Sequence, residues 1–270
     1  MGRITDALKR AMLYKNQDLA KSIDANAQIL SNKSFEKRAD EDYKSVNFDK
    51  MRVDAFAYYG VGGVLLDEFQ HIRAALMKKN YSSVLITSSL PEDGKTTVAV
   101  NMGFAVAKAF SSEGKRVLLI DSDFHKRPFY DIFGVDMYSY PGMLDAIGNR
   151  SDIRDLIVRD KETGLFVLFT GTKNMDTMSV VGIKNLLSVL RSEFDFVIMD
   201  SMPVLNFVEP RELAPFFDAV LYVVKLLKTP RGSISYGVQC LRDMGQNNML
   251  FVINGVKAFL PTKKTNYYKK

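Results

Sequence analysis

The 270-residue chain has no tryptophan, one cysteine and two histidines. A single cysteine, Cys240, excludes an internal disulfide framework and suits a reducing compartment. Its setting, the helical stretch Tyr236–Met244, makes it a small apolar residue of a helix face. His125 has no second histidine beside it, the other being the distant His71, which argues against a histidine-based metal site. No apolar run reaches the length of a transmembrane helix, and the first residues lack the pattern of a signal peptide. The expected location is therefore the cytoplasm. Broad charge of one sign is missing too. Of the net charge of +6, residues 256–270 supply +5 through Lys257, Lys263, Lys264, Lys269 and Lys270 with no acid. The remainder is nearly neutral, which argues against a nucleic-acid-binding face, and no nucleic-acid partner is expected.

What is present is an ordinary globular composition, 47% apolar and 25% charged, enough for a full core. The chain is organised around Ser82–Thr97. A β-branched run, Val84-Leu85-Ile86-Thr87, leads into a loop ending Gly94-Lys95-Thr96-Thr97, and an apolar helical pattern (Val98, Ala99, Met102, Ala105, Val106) follows. Strand, loop and helix in that order predict a phosphate-binding loop. Amide groups at a helix N-terminus attract an anion, the lysine neutralises phosphate charge, and the hydroxyl after it can ligate Mg²⁺. Ser89 stands where the usual motif has its first glycine, and Pro91 stiffens the loop.

Two further strands end in acids. Val117–Ile120 runs into Asp121-Ser122-Asp123, and Phe196-Val-Ile-Met199 runs into Asp200. In open parallel sheets ligands bind at the carboxyl ends of the strands, so these acids are expected to face the phosphate loop. An aspartate at a strand end also serves as a turn or capping residue, and that reading stands beside the functional one. Asp218–Val224 and Met249–Asn254 read as two more buried strands, separated by a helix from Arg231 to about Met244. Asn254 ends the last strand where a nucleotide base could be read, or where a turn simply begins.

The rest of the chain fills in an α/β pattern. Met1–Tyr14 is an amphipathic helix (Ile4, Ala7, Leu8, Ala11, Met12) suited to docking on a protein surface or lying on a membrane. Residues 15–55 are polar, mixed in charge and weakly periodic, and read as a linker with poor order. Val64–Lys79 is a helix; Leu165–Phe169 is a strand followed by a polar loop and a helix around Ile183–Arg191. Three segments result: residues 1–55 as helix and linker, 56–256 as the core domain, and 257–270 as a basic tail carrying Tyr267 and Tyr268. Strand–helix alternation with continuous apolar strands predicts a parallel β-sheet covered by helices on both faces, the architecture of a P-loop NTPase.

Three stretches, taken together, resemble the bacterial tyrosine kinases that govern capsule and exopolysaccharide export. Ile86–Thr97 is similar to that family's Walker A, in which a small residue also replaces the first glycine; Val117–Asp123 is similar to its Walker A′ and Phe196–Pro203 to its Walker B. Asp67-Glu-Phe-Gln-His-Ile-Arg73 resembles the family's E-x-x-R-x-x-R oligomerisation helix, Pro141–Asp145 a loop after Walker A′, and Met1–Ala11 the start of the soluble, single-chain members. Tyr267-Tyr268 sits where the family carries its tyrosine cluster. Departures are Asp67 for Glu, Gln70 for the first Arg of that helix, His125 for the Arg after D-x-D, Met202 for a Pro, a short tyrosine cluster, and the polar Gly171–Met178 in place of a Pro-rich loop.

The resemblance implies an ATP- and Mg²⁺-dependent protein-tyrosine autokinase. Glu92, Asp93, Gly94, Lys95, Thr96 and Thr97 would then hold the ATP phosphates. Thr96, Asp121 and Asp200 would hold Mg²⁺, and Asp123 would orient or deprotonate the attacking tyrosine hydroxyl. Lys95, Asp121, Asp123 and Asp200 thus form the implied catalytic set, with Tyr267 and Tyr268 as acceptors in trans. It also implies self-association through the Asp67–Arg73 helix, and a membrane activator or polysaccharide co-polymerase that draws the protein to the inner face of the membrane. Two other classes share the motifs: a ParA/MinD-type P-loop ATPase, whose loop carries an extra lysine where Ser89 and Leu90 stand, and an ATP-binding regulator without turnover.

Overall fold

The computed structural model describes residues 38–48, 64–149, 152–172 and 180–256. The amphipathic helix of residues 1–14, the turn at residues 58–63, most of the polar loop 171–178 and both tail tyrosines lie outside them.

Eight strands form one sheet in the order β1-β4-β5-β3-β6-β2-β7-β8. In chain order they are β1 (Lys44–Val46), β2 (Ser83–Ser88), β3 (Val117–Asp121), β4 (Val158–Asp160), β5 (Phe166–Leu168), β6 (Phe196–Asp200), β7 (Ala219–Lys225) and β8 (Met249–Asn254). The six strands from β5 to β8 in that order run parallel. The remaining two do not: β4 is antiparallel to β5, and β1 follows β4.

The predicted coverage of both faces is present, and the strands themselves show why. In β2, Val84 and Ile86 face one core while Leu85 faces the other; Leu119 and Leu118 of β3 divide the same way. Helices α1 (Val64–Lys78), α2 (Lys95–Phe110) and α3 (Pro128–Phe133) cover the first face through Phe69, Leu76, Met102, Phe104 and Phe133. On the second lie α4 (Met143–Asn149), α5 (Val180–Glu193), α6 (Glu209–Leu213) and α7 (Arg231–Asp243), through Leu144, Leu187, Leu190, Leu213 and Leu241. With apolar side chains buried on both faces, a central strand needs no polar alternation, and five buried residues in a row at Val117–Asp121 follow from that.

Residues 38–48 differ from the expectation of a polar linker with poor order. A 3₁₀ turn at Asp40–Asp42 leads into β1, which pairs with β4 and buries Tyr43, Val46 and Phe48. Tyr43 packs edge-on against Phe166 at 5.0 Å, and Phe48 against Phe133 at 4.4 Å. The Tyr43 hydroxyl donates to Glu193 at 2.9 Å, and the Arg38 N–H donates to the same oxygen at 2.8 Å. Arg116 adds a guanidinium 3.4 Å from it while holding Asp40 at 2.7 Å. Three well-spaced apolar side chains and one buried carboxylate therefore fix this segment to the amino end of the sheet. Among the described residues no helix is long and apolar enough to cross a membrane.

Candidate functional site

The strand-end acids and the phosphate loop meet because β3, β6 and β2 are neighbours. Asp121 and Asp200 are register partners, and Asp200 is in turn level with Ile86 of β2. The loop Ser89–Gly94 leaves β2 at that level and enters α2. Gly94 caps the helix with φ +96°, a left-handed conformation that favours glycine. Space also requires it: a Cβ there would lie 1.9 Å from the Asn254 side-chain nitrogen. Behind this cap the first amides of the sixteen-residue helix have no intrahelical acceptor, which makes the helix start an anion site.

Lys95 is buried at 6% exposure. Burial lowers its pKa, while Asp200, Asp123 and Asp93 pull the other way and Lys126 adds to the lowering. The acids are more deeply placed, with Asp121 and Asp200 fully buried and Asp123 at 8%. Burial pushes the Asp200 carboxyl up to about 7, opposed chiefly by the Lys95 charge and by the neighbouring Thr96 hydroxyl. The Ser201 amide opposes the rise as well, yet neither buried Asp200 oxygen has a hydrogen bond of ordinary geometry among the described residues. Asp121 is raised well above the ordinary carboxylate range by burial and by the Asp200 charge. Its oxygens accept the Asp123 amide at 3.0 Å and the Phe129 amide at 3.3 Å, so it also holds the loop that follows. Asp123 uses one oxygen to accept the amides of His125 (3.3 Å) and Lys126 (2.9 Å).

This donor set fits Mg²⁺. Carboxylate and hydroxyl oxygens are the hard ligands that ion takes, and Asp200 presents two buried oxygens that no donor among the described residues satisfies. Asp200 and Thr96 would be the direct ligands, with Asp121 behind them.

Of the other predicted loop contacts, Glu92 is exposed and left-handed (φ +64°). Asp93 turns inward: its carboxylate accepts the Leu90 amide (3.2 Å) and the Thr229 hydroxyl (2.7 Å). Asn254 does reach the loop, but its amide donates to the Asp93 carbonyl at 2.9 Å and its oxygen accepts the Gly255 amide at 2.8 Å. Thr97 lies in the first turn of α2 and its carbonyl accepts from the Asn101 side chain at 2.7 Å. Sequence reasoning missed the brace formed by the last residue of β7 and the turn after it. Lys225 donates to the Glu92 carbonyl at 3.0 Å and Thr229 to Asp93, so this turn clamps the loop from outside. It missed also the partner of Ser89, whose hydroxyl sits 2.8 Å from that of the buried Tyr222. A third omission is Asp145 of α4, which accepts the Gly142 amide (2.8 Å) and both the amide and hydroxyl of Thr172 (2.9 and 2.7 Å), joining the Pro141–Gly142 turn to the end of β5.

His125 stacks its ring beside Phe207 at 4.6 Å, and Met202 is buried in the second core. In α1, Gln70 donates to the Ala105 carbonyl of α2 at 3.2 Å and accepts from Arg73 at 2.7 Å. The Asp67 side chain, Tyr267 and Tyr268 lie outside the described residues.

Comparison with known proteins agrees with this geometry. EpsB of Ralstonia solanacearum is 28% identical over 174 residues, which are 63% of this chain and 22% of EpsB. The tyrosine-protein kinase YwqD of Bacillus subtilis is 26% identical over 190 residues, 69% of this chain and 78% of YwqD. The chain thus spans about a fifth of one curated relative and about three quarters of the other. The septum site-determining protein MinD of Bacillus subtilis is 32% identical over 121 residues, 44% of each chain. Among solved structures the VpsO kinase domain superposes with a TM-score of 0.63 at 23% identity, covering 72% of this chain and 96% of that one, a likeness that bears on the fold. The resemblance to bacterial tyrosine kinases read from the three motifs therefore extends to their names and their architecture. The model of the AAA domain family matches residues 93–228, half of the sequence and the part that holds the Walker lysine and all three acids, and to that family this chain belongs.

Proposed function

We propose that this chain is an ATP- and Mg²⁺-dependent protein-tyrosine kinase that regulates polysaccharide synthesis or export. The observation that supports the reading is the pairing of Asp200, buried without hydrogen-bond partners among the described residues, with Lys95 and the open helix start of α2. Such a carboxylate is costly unless a cation and its phosphate ligand complete it.

Phosphoryl transfer is chiefly positioning and charge stabilisation. Lys95 and the amides at the start of α2 hold the β- and γ-phosphates. Asp200 and Thr96 would hold Mg²⁺, which when bound would neutralise charge on those phosphates. Asp121 fixes the loop that presents Asp123, and Asp123 accepts the proton of the incoming phenol. The bond from phenol oxygen to γ-phosphorus forms as the bond to the leaving ADP oxygen breaks. A free tyrosine hydroxyl titrates near pH ~10, so a poised carboxylate is what the acceptor needs. On this reading Tyr267 and Tyr268 are acceptors in trans, the Asp67–Arg73 stretch of α1 mediates self-association, and a membrane-bound activator recruits the protein to the inner face of the membrane.

The test is phosphotyrosine after incubation with Mg-ATP, by antibody and mass spectrometry, on the wild type, Lys95→Met and Tyr267→Phe/Tyr268→Phe. Signal in the wild type alone supports the whole proposal; signal that survives the tyrosine pair but not Lys95→Met assigns another acceptor. A second reading, a MinD-like ATPase, is favoured by the identity to MinD. Phosphate release with no phosphotyrosine would establish it, and nucleotide binding without turnover would make the chain a regulator.

A further inference from the structure

The phosphate loop carries a strained residue in its middle. Glu92 is left-handed at φ +64° with an exposed side chain, a backbone state that is costly for any residue but glycine. The bend is held from outside the loop, on two adjacent residues. The Lys225 ammonium donates to the Glu92 carbonyl at 3.0 Å, and the Thr229 hydroxyl donates to the Asp93 carboxylate at 2.7 Å. From the end of β8, the Asn254 side chain donates to the Asp93 carbonyl at 2.9 Å. Thr229 is itself oriented for this contact. Its oxygen accepts the Lys225 amide at 2.9 Å, which leaves its one proton for Asp93. The turn is closed by the Lys228 and Thr229 amides, which donate to the Lys225 carbonyl at 3.1 and 3.0 Å. Asp93, only 3% exposed, carries the hold inward: its second oxygen accepts the Leu90 amide at 3.2 Å. The loop is therefore pinned on both sides of Glu92.

We infer that Lys225 and Thr229 are positioning residues that set nucleotide affinity, by holding the loop in its phosphate-binding form against the strain at Glu92. The inference rests on the nucleotide-binding part of the proposed function and is independent of phosphoryl transfer. Neither side chain touches the phosphates in this role. Loop amides bind a phosphate only while they point the same way, and Gly94 and Lys95 follow directly behind the strained residue. Relaxation of Glu92 to a right-handed φ turns those amides away. Without the clamp only a fraction of molecules holds the competent loop, and the apparent affinity falls by that fraction. Glycine populates positive φ as readily as negative, so a glycine at position 92 makes the bend far less dependent on the clamp. The effects of Lys225 and Glu92 are thereby coupled, which a direct attraction between the Lys225 charge and a phosphate does not require.

The experiment is calorimetric titration of the full chain with Mg-ADP. Lys225→Met and Thr229→Val should each raise the Kd about tenfold, whereas Thr229→Ser, which keeps the hydroxyl, should stay within about twofold of the wild type. The decisive comparison adds Glu92→Gly. In that background Lys225→Met should raise the Kd by less than about threefold. An equal loss in both backgrounds would assign Lys225 to direct phosphate attraction and overturn the inference. Thermal melting of the nucleotide-free variants confirms that each one folds. A lowered melting temperature with an unmoved Kd would make the clamp merely structural, and would overturn the inference as well. Wild-type protein that binds no Mg-ADP removes the nucleotide reading and this inference with it. Binding that is alike in wild type, Lys225→Met and Thr229→Val removes the inference alone.

Discussion

Buried acids stand at both ends of the sheet, and the two ends use them differently. At the amino end Glu193, 1% exposed, is surrounded by donors: the Tyr43 hydroxyl, the Arg38 amide and the Arg116 guanidinium. At the carboxyl end Asp200 is as deeply buried, and neither oxygen has a hydrogen-bond partner among the described residues. Burial does not separate them; the supply of donors does. An acid whose partners come from distant segments ties the fold together, here binding residues 38–48 to α5. An acid left without partners beside a lysine and a helix N-terminus is completed by something that binds. The same contrast runs within the carboxyl end, where Asp121 spends its oxygens on two loop amides and Asp200 keeps both.

Reciprocal substitutions test this most severely. On the proposed function, Asp200→Asn should reduce phosphate transfer by about a thousandfold or more, because it removes the charge that would hold Mg²⁺. Above about pH 7 it should also raise the melting temperature of the nucleotide-free protein by a few degrees, about 2–8 °C, since it relieves a buried carboxylate that no hydrogen-bond donor among the described residues satisfies. Glu193→Ala should do the opposite. Leaving the Tyr43 hydroxyl and Arg38 amide unsatisfied costs about 2–3 kcal/mol in urea unfolding, while transfer per folded molecule stays within about twofold. Equal destabilisation by both variants would erase the distinction between the two ends.

Proton linkage gives a gentler test. The folded Asp200 carboxyl is raised by burial to about 7 from 3.8, so the folded state keeps a proton that the unfolded chain has released. The resulting stabilisation is complete below the unfolded value and is lost as pH rises through the folded one. Asp121 shifts in the same direction, from burial and from its neighbour's charge. Nucleotide-free protein should therefore lose thermal stability as pH rises through this interval. Mg-ATP, which displaces the proton, should stabilise more strongly as pH increases from about 5 to about 8. Scanning fluorimetry with and without Mg-ATP reads both trends, and a nucleotide-induced gain that is flat with pH would separate the ligand from Asp200.

Legibility from sequence followed the length over which a pattern extends. Val117–Asp121 and Phe196–Asp200 are runs of buried residues ending in an acid, so both the strands and the acids at their ends could be read. Met249–Asn254 was legible as a strand, but it lies at the sheet edge with Phe251 and Ile253 exposed, not buried as expected. β1 and β4 are three residues each, too short for periodicity. They pair because Tyr43 and Phe48 find aromatic neighbours far along the chain, a tertiary choice invisible in local sequence. The same holds in the site. Lys95, Thr96 and the three aspartates announce themselves by spacing, whereas the clamp from Lys225 and Thr229 onto Glu92 and Asp93 spans 133 and 136 residues. Asn254 was legible as a residue near the nucleotide loop; that its amide would meet the Asp93 carbonyl depended on Gly94 lacking a side chain.

Ser89 shows how small an effect the comparison can still resolve. It replaces the first glycine of the usual loop, yet its backbone is not left-handed, so geometry does not require a glycine there. Its hydroxyl instead completes a polar pair with Tyr222, itself fully buried and shifted up to about 12 by burial. No room exists for a substitute partner on the far side, since a Cβ on Gly237 of α7 would already lie 2.1 Å from the Tyr222 hydroxyl. Ser89→Gly should therefore cost about 1–2 kcal/mol, part from the orphaned hydroxyl and part from added freedom in the unfolded chain. Tyr222→Phe should cost about 1 kcal/mol, and the double variant less than the sum by about 0.5–1 kcal/mol, as expected of groups in direct contact. Transfer should change by less than about threefold in all three, because this pair, like Glu193 and unlike Asp200, already has its partner. Strict additivity in urea unfolding would mean that the two hydroxyls do not interact, and that Ser89 is retained only for its size.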